Sequence, residues 1–140
     1  MSKTSIRNRK KAKGQKFAAI PKSVLDSRAY RELPPSAAKT LPYFFWKVGV
    51  KTLSSLDDPE RYKVAIPFTY AEAETYGFTR STFSKTLKDL MSYGFIDPVS
   101  KGGLRGYGHT SSLFKLSERW VHFGTVAFQP VRWEGFRNGG

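Results

Sequence analysis

Residues 69–93 read TYAEAETYGFTRSTFSKTLKDLMSY, and the reading of this stretch decides the fold. It opens on Thr69 and Glu72, a capping-box spacing in which hydroxyl and carboxylate each satisfy the other residue's free backbone N–H. The helix they open, Tyr70 to Tyr76, is brief, because Gly77 follows and glycine tolerates the left-handed conformation that ends many helices. Thr79 is then a second N-cap. In the longer helix after it, Phe83, Leu87, Leu90 and Met91 recur at helical spacing and predict one buried stripe. Arg80, Ser81, Thr82, Ser84, Lys85 and Lys88 take the other faces, and all are polar or basic. The helix stops at Tyr93-Gly94, where Phe95-Ile96 begin a strand.

Two helices joined by a turn of about three residues, the second polar outward, make a helix-turn-helix unit. With Ala73 in the first helix, Gly77 in the turn, Phe78 after it and Phe83 in the second helix, the sequence resembles the winged helix-turn-helix family. The stretch LMSYGFI, Leu90 to Ile96, is similar to the helix-to-strand junction of winged-helix regulators. Glu72 and Thr86 depart from the family pattern, which places small or apolar side chains there. Phe95–Ser100 and Ser112–Leu116 are expected to pair as antiparallel strands around a glycine-rich, pliable wing, residues 101–111. The wing carries Lys101, Arg105, Tyr107 and His109, and Val64–Phe68 supplies a third strand. The fold class that results is mainly α with a small antiparallel β-sheet (α+β), a winged helix-turn-helix with an N-terminal helical extension. More loosely, the chain is similar to winged-helix domains of plasmid and phage replication or regulatory proteins.

Upstream, Phe17–Pro21 is a short apolar approach, and Ser23 is a plausible cap for a helix over Val24–Leu33. Val24, Leu25, Ala29, Tyr30 and Leu33 fall near one face of it. Pro34-Pro35 ends that helix, and Ser36 can cap a second one from Ala37 to about Leu53, with Leu41, Phe44, Phe45, Val48 and Leu53 on its apolar side. Pro42 inside that helix costs ~3 kcal/mol, so a start near Thr40, with the proline in the first turn, is the preferred reading. Residues 54–63 read as an exposed loop.

The chain has 140 residues, which suits a single core of its own. Its Lys and Arg number 24 against 11 acids, a net charge of +13 at pH 7. Such an excess points to a partner dense in negative charge, nucleic acid or an anionic membrane surface. No apolar run reaches the ~18–20 residues of a spanning helix, and no h-region follows the basic N-terminus, so no membrane partner is expected. Cysteine is absent, which removes disulfides and thiolate metal sites. A cytoplasmic, nucleoid-associated location is the expectation. Residues 1–16 hold basic side chains including Arg7, Arg9, Lys10, Lys11 and Lys13, no acid, and one large apolar side chain, Ile6. They are expected to form a disordered electrostatic arm that tracks phosphates, or else a solubilising tail. The domain proper is then residues 17–122, followed by an aromatic C-terminal tail, residues 123–140. That tail either packs back on the domain or meets a second subunit, which leaves a homodimer open. Trp46 and Trp120 lie among apolar neighbours and are assigned to the core in preference to base stacking, and Trp133 is left open.

Catalysis is not expected. The two histidines, His109 and His122, belong to no ligand-spaced set, Glu72 is already used as a cap, and no phosphate-cradling glycine motif appears. No cofactor, metal or small-molecule substrate is implied. The resemblance implies instead a duplex-DNA-binding protein, serving transcription regulation or DNA replication. Its recognition helix (80–92) would bring Arg80, Ser81, Thr82 and Ser84 to base edges, Lys85 and Lys88 to phosphate, and the N–H groups after Thr79 to a further phosphate. Lys101 and Arg105 would take the wing to the flanking backbone or minor groove. The alternatives are RNA binding, or a winged-helix protein–protein interaction module whose basic face is only a solvated surface.

Overall fold

A computed structural model describes residues 17–49, 58–100, 103–105, 108–110 and 112–131, with only the backbone of 103–105 and 108–110. The architecture is an α+β fold, mainly helical, with a small antiparallel sheet. Helix α1 spans Lys22–Leu25, α2 Arg28–Glu32 and α3 Pro35–Val48. A 3₁₀ turn at Pro59–Lys63 leads to strand β1, Ile66–Pro67, then to α4, Tyr70–Thr75, and α5, Arg80–Ser92. The remainder is β2 (Ile96–Ser100), β3 (Gly103–Arg105), β4 (Gly108–Thr110), β5 (Leu113–Leu116) and a second 3₁₀ turn at Arg119–His122.

The N-terminal half corrects several readings. The single helix over Val24–Leu33 is two helices, because Ser27 serves both sides of a break. Its hydroxyl donates to the Val24 carbonyl at 2.7 Å and accepts from the Tyr30 N–H at 3.1 Å, which closes α1 and opens α2. Serine side chains compete with the helical ladder in just this way. Pro21, not Ser23, holds the N-cap position of α1, and Leu25 is exposed while Val24 is buried. The second helix begins at Pro35, neither at Ala37 nor near Thr40, so Ser36 lies in its first turn and Pro42 truly lies inside. Proline at the first helical position costs nothing in hydrogen bonding. Leu41, Phe44 and Phe45 beyond it are buried, at ~1.5–3 kcal/mol each, which outweighs the interior proline. The helix ends at Val48, where Gly49 adopts φ 71°, and Leu53 lies outside the described residues.

The exposed loop expected over residues 54–63 is also revised where it is described. Pro59–Lys63 forms a 3₁₀ turn, and Arg61 within it is buried. Its guanidinium donates to the Ala19 carbonyl at 2.8 Å and the Gly49 carbonyl at 3.2 Å. This arginine therefore ties together the approach to α1 and the end of α3.

Strand order in the sheet is β1-β5-β2, both pairs antiparallel. Only Ile66 and Pro67 of the expected third strand pair, opposite Phe114 and Leu113, and Val64 is exposed. Both prolines in the sheet, Pro67 and Pro98, stand on edge strands, where a missing donor breaks no interior ladder. Between β2 and β5 the glycine-rich segment is more regular than expected. β3 and β4 pair as a second hairpin, with Leu104 opposite His109 and Arg105 opposite Gly108.

Helix α5 lies over the core, with Phe83, Leu87, Leu90 and Met91 all buried, as the periodicity predicts. An aromatic chain links the helices to the sheet. Phe68 sits 4.9 Å from Phe83 and 5.1 Å from Phe44, and Phe44 meets Phe114 edge-on at 6.0 Å. Beyond the sheet the C-terminal segment packs back: Trp120 stacks on Phe95, Phe123 on Tyr93, and Phe128 meets Phe123 edge-on.

Candidate nucleic-acid interface

The site is built on the two capped helices. Thr69 accepts from the Glu72 N–H at 3.0 Å, and Glu72 accepts in return from the Thr69 N–H at 3.2 Å, so the capping box is complete. The second carboxylate oxygen of Glu72 pairs with Lys47 of α3. Glu72 is thus occupied twice, as a cap and as a tie between helices. Gly77 takes φ +93°, which lets the chain turn at once into the Thr79 cap. Thr79 accepts from the Thr82 N–H at 3.2 Å, which caps α5 at its N-terminus.

At about 100° per residue, Ser81, Ser84, Lys85 and Lys88 fall along one strip of α5, opposite the buried stripe. Arg80 and Thr82 flank that strip on either side at its N-terminal end. Arg80, Ser81, Lys85 and Lys88 are exposed, and Thr82 and Ser84 are half-buried. Lys85 pairs with Asp89 at 3.1 Å, an exposed i,i+4 contact worth ~0.3–0.5 kcal/mol, so a phosphate can displace it at little cost. The guanidinium of Arg80 lies over the Tyr70 ring, 4.4 Å from its centroid.

Among the described residues, most cations outside α5 are engaged by acids or carbonyls. Lys22 pairs with Asp26, Arg28 with Glu32, Lys63 with Glu60 and Arg119 with Asp97. Arg119 is a structural clasp. It also donates to the carbonyls of Met91, Ile96 and Gln129, joining the end of α5, the start of β2 and the C-terminal segment. Lys39 on α3 is different: its ammonium lies 5.3 Å from the centre of the Phe78 ring, beside the turn that leads into α5. The sequence does not single out Lys39, because the pattern of that helix speaks only for its apolar side. Nor does it single out Tyr70, whose contact with Arg80 exists only through the angle between α4 and α5.

Of the other expected contact residues, Arg105 and His109 lie on β3 and β4 of one hairpin. Lys101, Tyr107, Arg7, Arg9, Lys10, Lys11, Lys13 and Trp133 lie outside the described residues. Next to the site, Tyr76 stacks on Tyr43 with centroids 4.0 Å apart. Burial, and then the nearby Glu72 charge and Tyr43, raise its phenol pKa above the usual tyrosine range. Among the described residues no cluster of His, Cys, Asp and Glu is placed to hold a metal ion. No helix there is long and apolar enough to cross a membrane. No family model, curated protein or solved structure matches the chain.

Proposed function

We propose that the chain is a winged helix-turn-helix protein that binds duplex DNA, with α5 in the major groove and the β3–β4 hairpin as the wing. The observation that carries the reading is the division of α5 into two faces. Phe83, Leu87, Leu90 and Met91 anchor it to the core, and Ser81, Ser84, Lys85 and Lys88 form an outward strip whose one neighbouring acid, Asp89, pairs with Lys85. A helix has the width to enter the major groove, and residues near its N-terminus reach base edges first. In this reading Arg80 makes bidentate hydrogen bonds to guanine, Ser81, Thr82 and Ser84 lie close to bases, and Lys85 and Lys88 meet phosphate. Lys39, beside the same turn, adds a phosphate contact from α3. Arg105, on the hairpin, meets the flanking backbone or minor groove, Lys101 is assigned the same role from the sequence, and the basic residues of 1–16 follow the phosphates further out. A role in transcription regulation or replication, close to the nucleoid, is the corresponding biology.

Binding of a duplex pool, followed by fluorescence anisotropy across a salt series, tests this. Neutralising ~6–8 phosphates predicts a slope of about −5 to −7 in log affinity against log salt. A shallow slope on every duplex would defeat the proposal, and tighter binding to single-stranded or folded RNA would move it to RNA. Absence of nucleic-acid binding altogether would leave the basic face to a protein partner.

A further inference from the structure

We propose that Tyr70 is a positioning residue for Arg80. It holds the guanidinium in place before any ligand arrives, so that the N–H fork, and not merely the charge, discriminates between base pairs. The inference rests on the duplex-DNA reading above and adds a residue from the neighbouring helix. Three contacts support it. Tyr70 stands edge-on to Phe83, with ring centroids 5.6 Å apart and planes at 82°. Phe83 is fully buried, so the tyrosine ring leans on a side chain packed on all sides. Over that ring, at 4.4 Å, sits the Arg80 guanidinium. The Thr69–Glu72 capping box fixes the backbone from which Tyr70 projects.

The chemistry follows from what an aromatic ring can satisfy. Its face attracts a cation through the ring quadrupole but takes none of the in-plane N–H donors. Among the described residues the Arg80 guanidinium has no hydrogen-bond or ion-pair partner, and its one contact is this ring. The donors directed away from the ring therefore stay available while the group that carries them is held in place. A donor fork already oriented loses less side-chain freedom on docking. Phosphate can be held by a point charge, as lysine holds it, whereas a guanine edge is read by two N–H groups at a fixed angle. Loss of orientation should therefore appear in base preference before it appears in general affinity.

The experiment has a DNA-free arm and a DNA arm, each run on the full chain, Tyr70→Leu, Tyr70→Phe and Arg80→Ala. In the free protein, side-chain NMR should show the Arg80 δ protons shifted upfield by the ring current. The shift should vanish in Tyr70→Leu and persist in Tyr70→Phe, which keeps the aromatic face. In selection from a random-core duplex pool, Tyr70→Leu should flatten preference at the same positions as Arg80→Ala, by about two- to fivefold. Tyr70→Phe should preserve the preference. An unshifted, mobile Arg80 in the free wild type overturns the positioning role whatever the DNA result. So does a Tyr70→Leu pool identical to wild type when Arg80→Ala is flattened, and in that case DNA binding itself stands. Failure of wild type to bind any duplex removes the DNA reading and this inference together.

Discussion

Thr86 sits on the buried side of α5 at 1 % exposure, and its hydroxyl has no hydrogen-bond partner among the described residues. A buried, unpaired polar group costs about 1–3 kcal/mol, and valine has the same branched shape without the hydroxyl. Thr86→Val should therefore raise stability by roughly 1 kcal/mol, seen as a higher urea midpoint at unchanged m-value. A lower midpoint would mean that the hydroxyl has a partner after all. The sequence shows Thr86 only as a polar residue in the helix, and packing reveals that its oxygen is orphaned among the described residues. Tyr76 gives a second test at this scale. Its folded pKa is raised, chiefly by burial, so the unfolded chain loses the phenolic proton first. The contribution is intact below about pH 10, the unfolded value, and is lost as pH rises through the folded one. Tyr76→Phe should consequently lose less stability than wild type between neutral pH and pH 11. Parallel declines in denaturation midpoint would show that Tyr76 ionises alike in both states.

Two glycines look equivalent as helix stops and are not equivalent in the folded chain. Gly77 has φ +93°, and a Cβ there would meet nothing within 4 Å. Gly77→Ala should cost only the left-handed strain, ~1–2 kcal/mol. Gly94 has φ +90°, but a Cβ would fall 2.6 Å from the Trp120 backbone nitrogen and 2.8 Å from the Arg119 carbonyl carbon. Backbone atoms cannot rotate away, and the Gly94 carbonyl also accepts from the Trp120 N–H at 3.0 Å. Gly94→Ala should then cost about 3 kcal/mol or more, strain and overpacking together. Thermal unfolding of the two variants side by side decides it, and equal losses would refute the distinction. The difference shows what was legible in the chain. Caps, stops and the stripe of α5 are set by neighbours within a few residues, so they could be read directly. The close approach at Gly94, the α1–α2 break at Ser27, the clasp of Arg119 and the burial of Arg61 depend on tertiary contacts or on competing local bonds. No periodicity announces them. The same holds at the site: the polar strip on α5 was readable, whereas the Tyr70 and Lys39 contacts required the helices to be placed.

Charge is the property of the whole molecule that the fold does not explain. Residues 1–16 hold seven basic side chains and no acid, so of the net +13 they carry +7, and residues 17–140 carry +6. Within that remainder, much of the charge is spent in internal pairs, among them Lys47–Glu72 and Arg119–Asp97. The bases on or beside the strip, Arg80, Lys85, Lys88 and Lys39, are too few to give a steep salt dependence by themselves. If DNA is the partner, affinity and selectivity should therefore separate along the chain. Deleting residues 1–16 should make the salt slope shallower by about 3 units, because each phosphate no longer neutralised takes ~0.9 from it. The base preference selected from a duplex pool should survive, since it resides in α5, and the melting temperature should stay within error. Arg80→Ala in the full chain should do the reverse: a flattened preference, a cost of ~1–3 kcal/mol on the best site, and a salt slope changed by no more than about 1. An unchanged slope on deletion would assign residues 1–16 to solubility alone, and a flattened preference would place base reading in the arm.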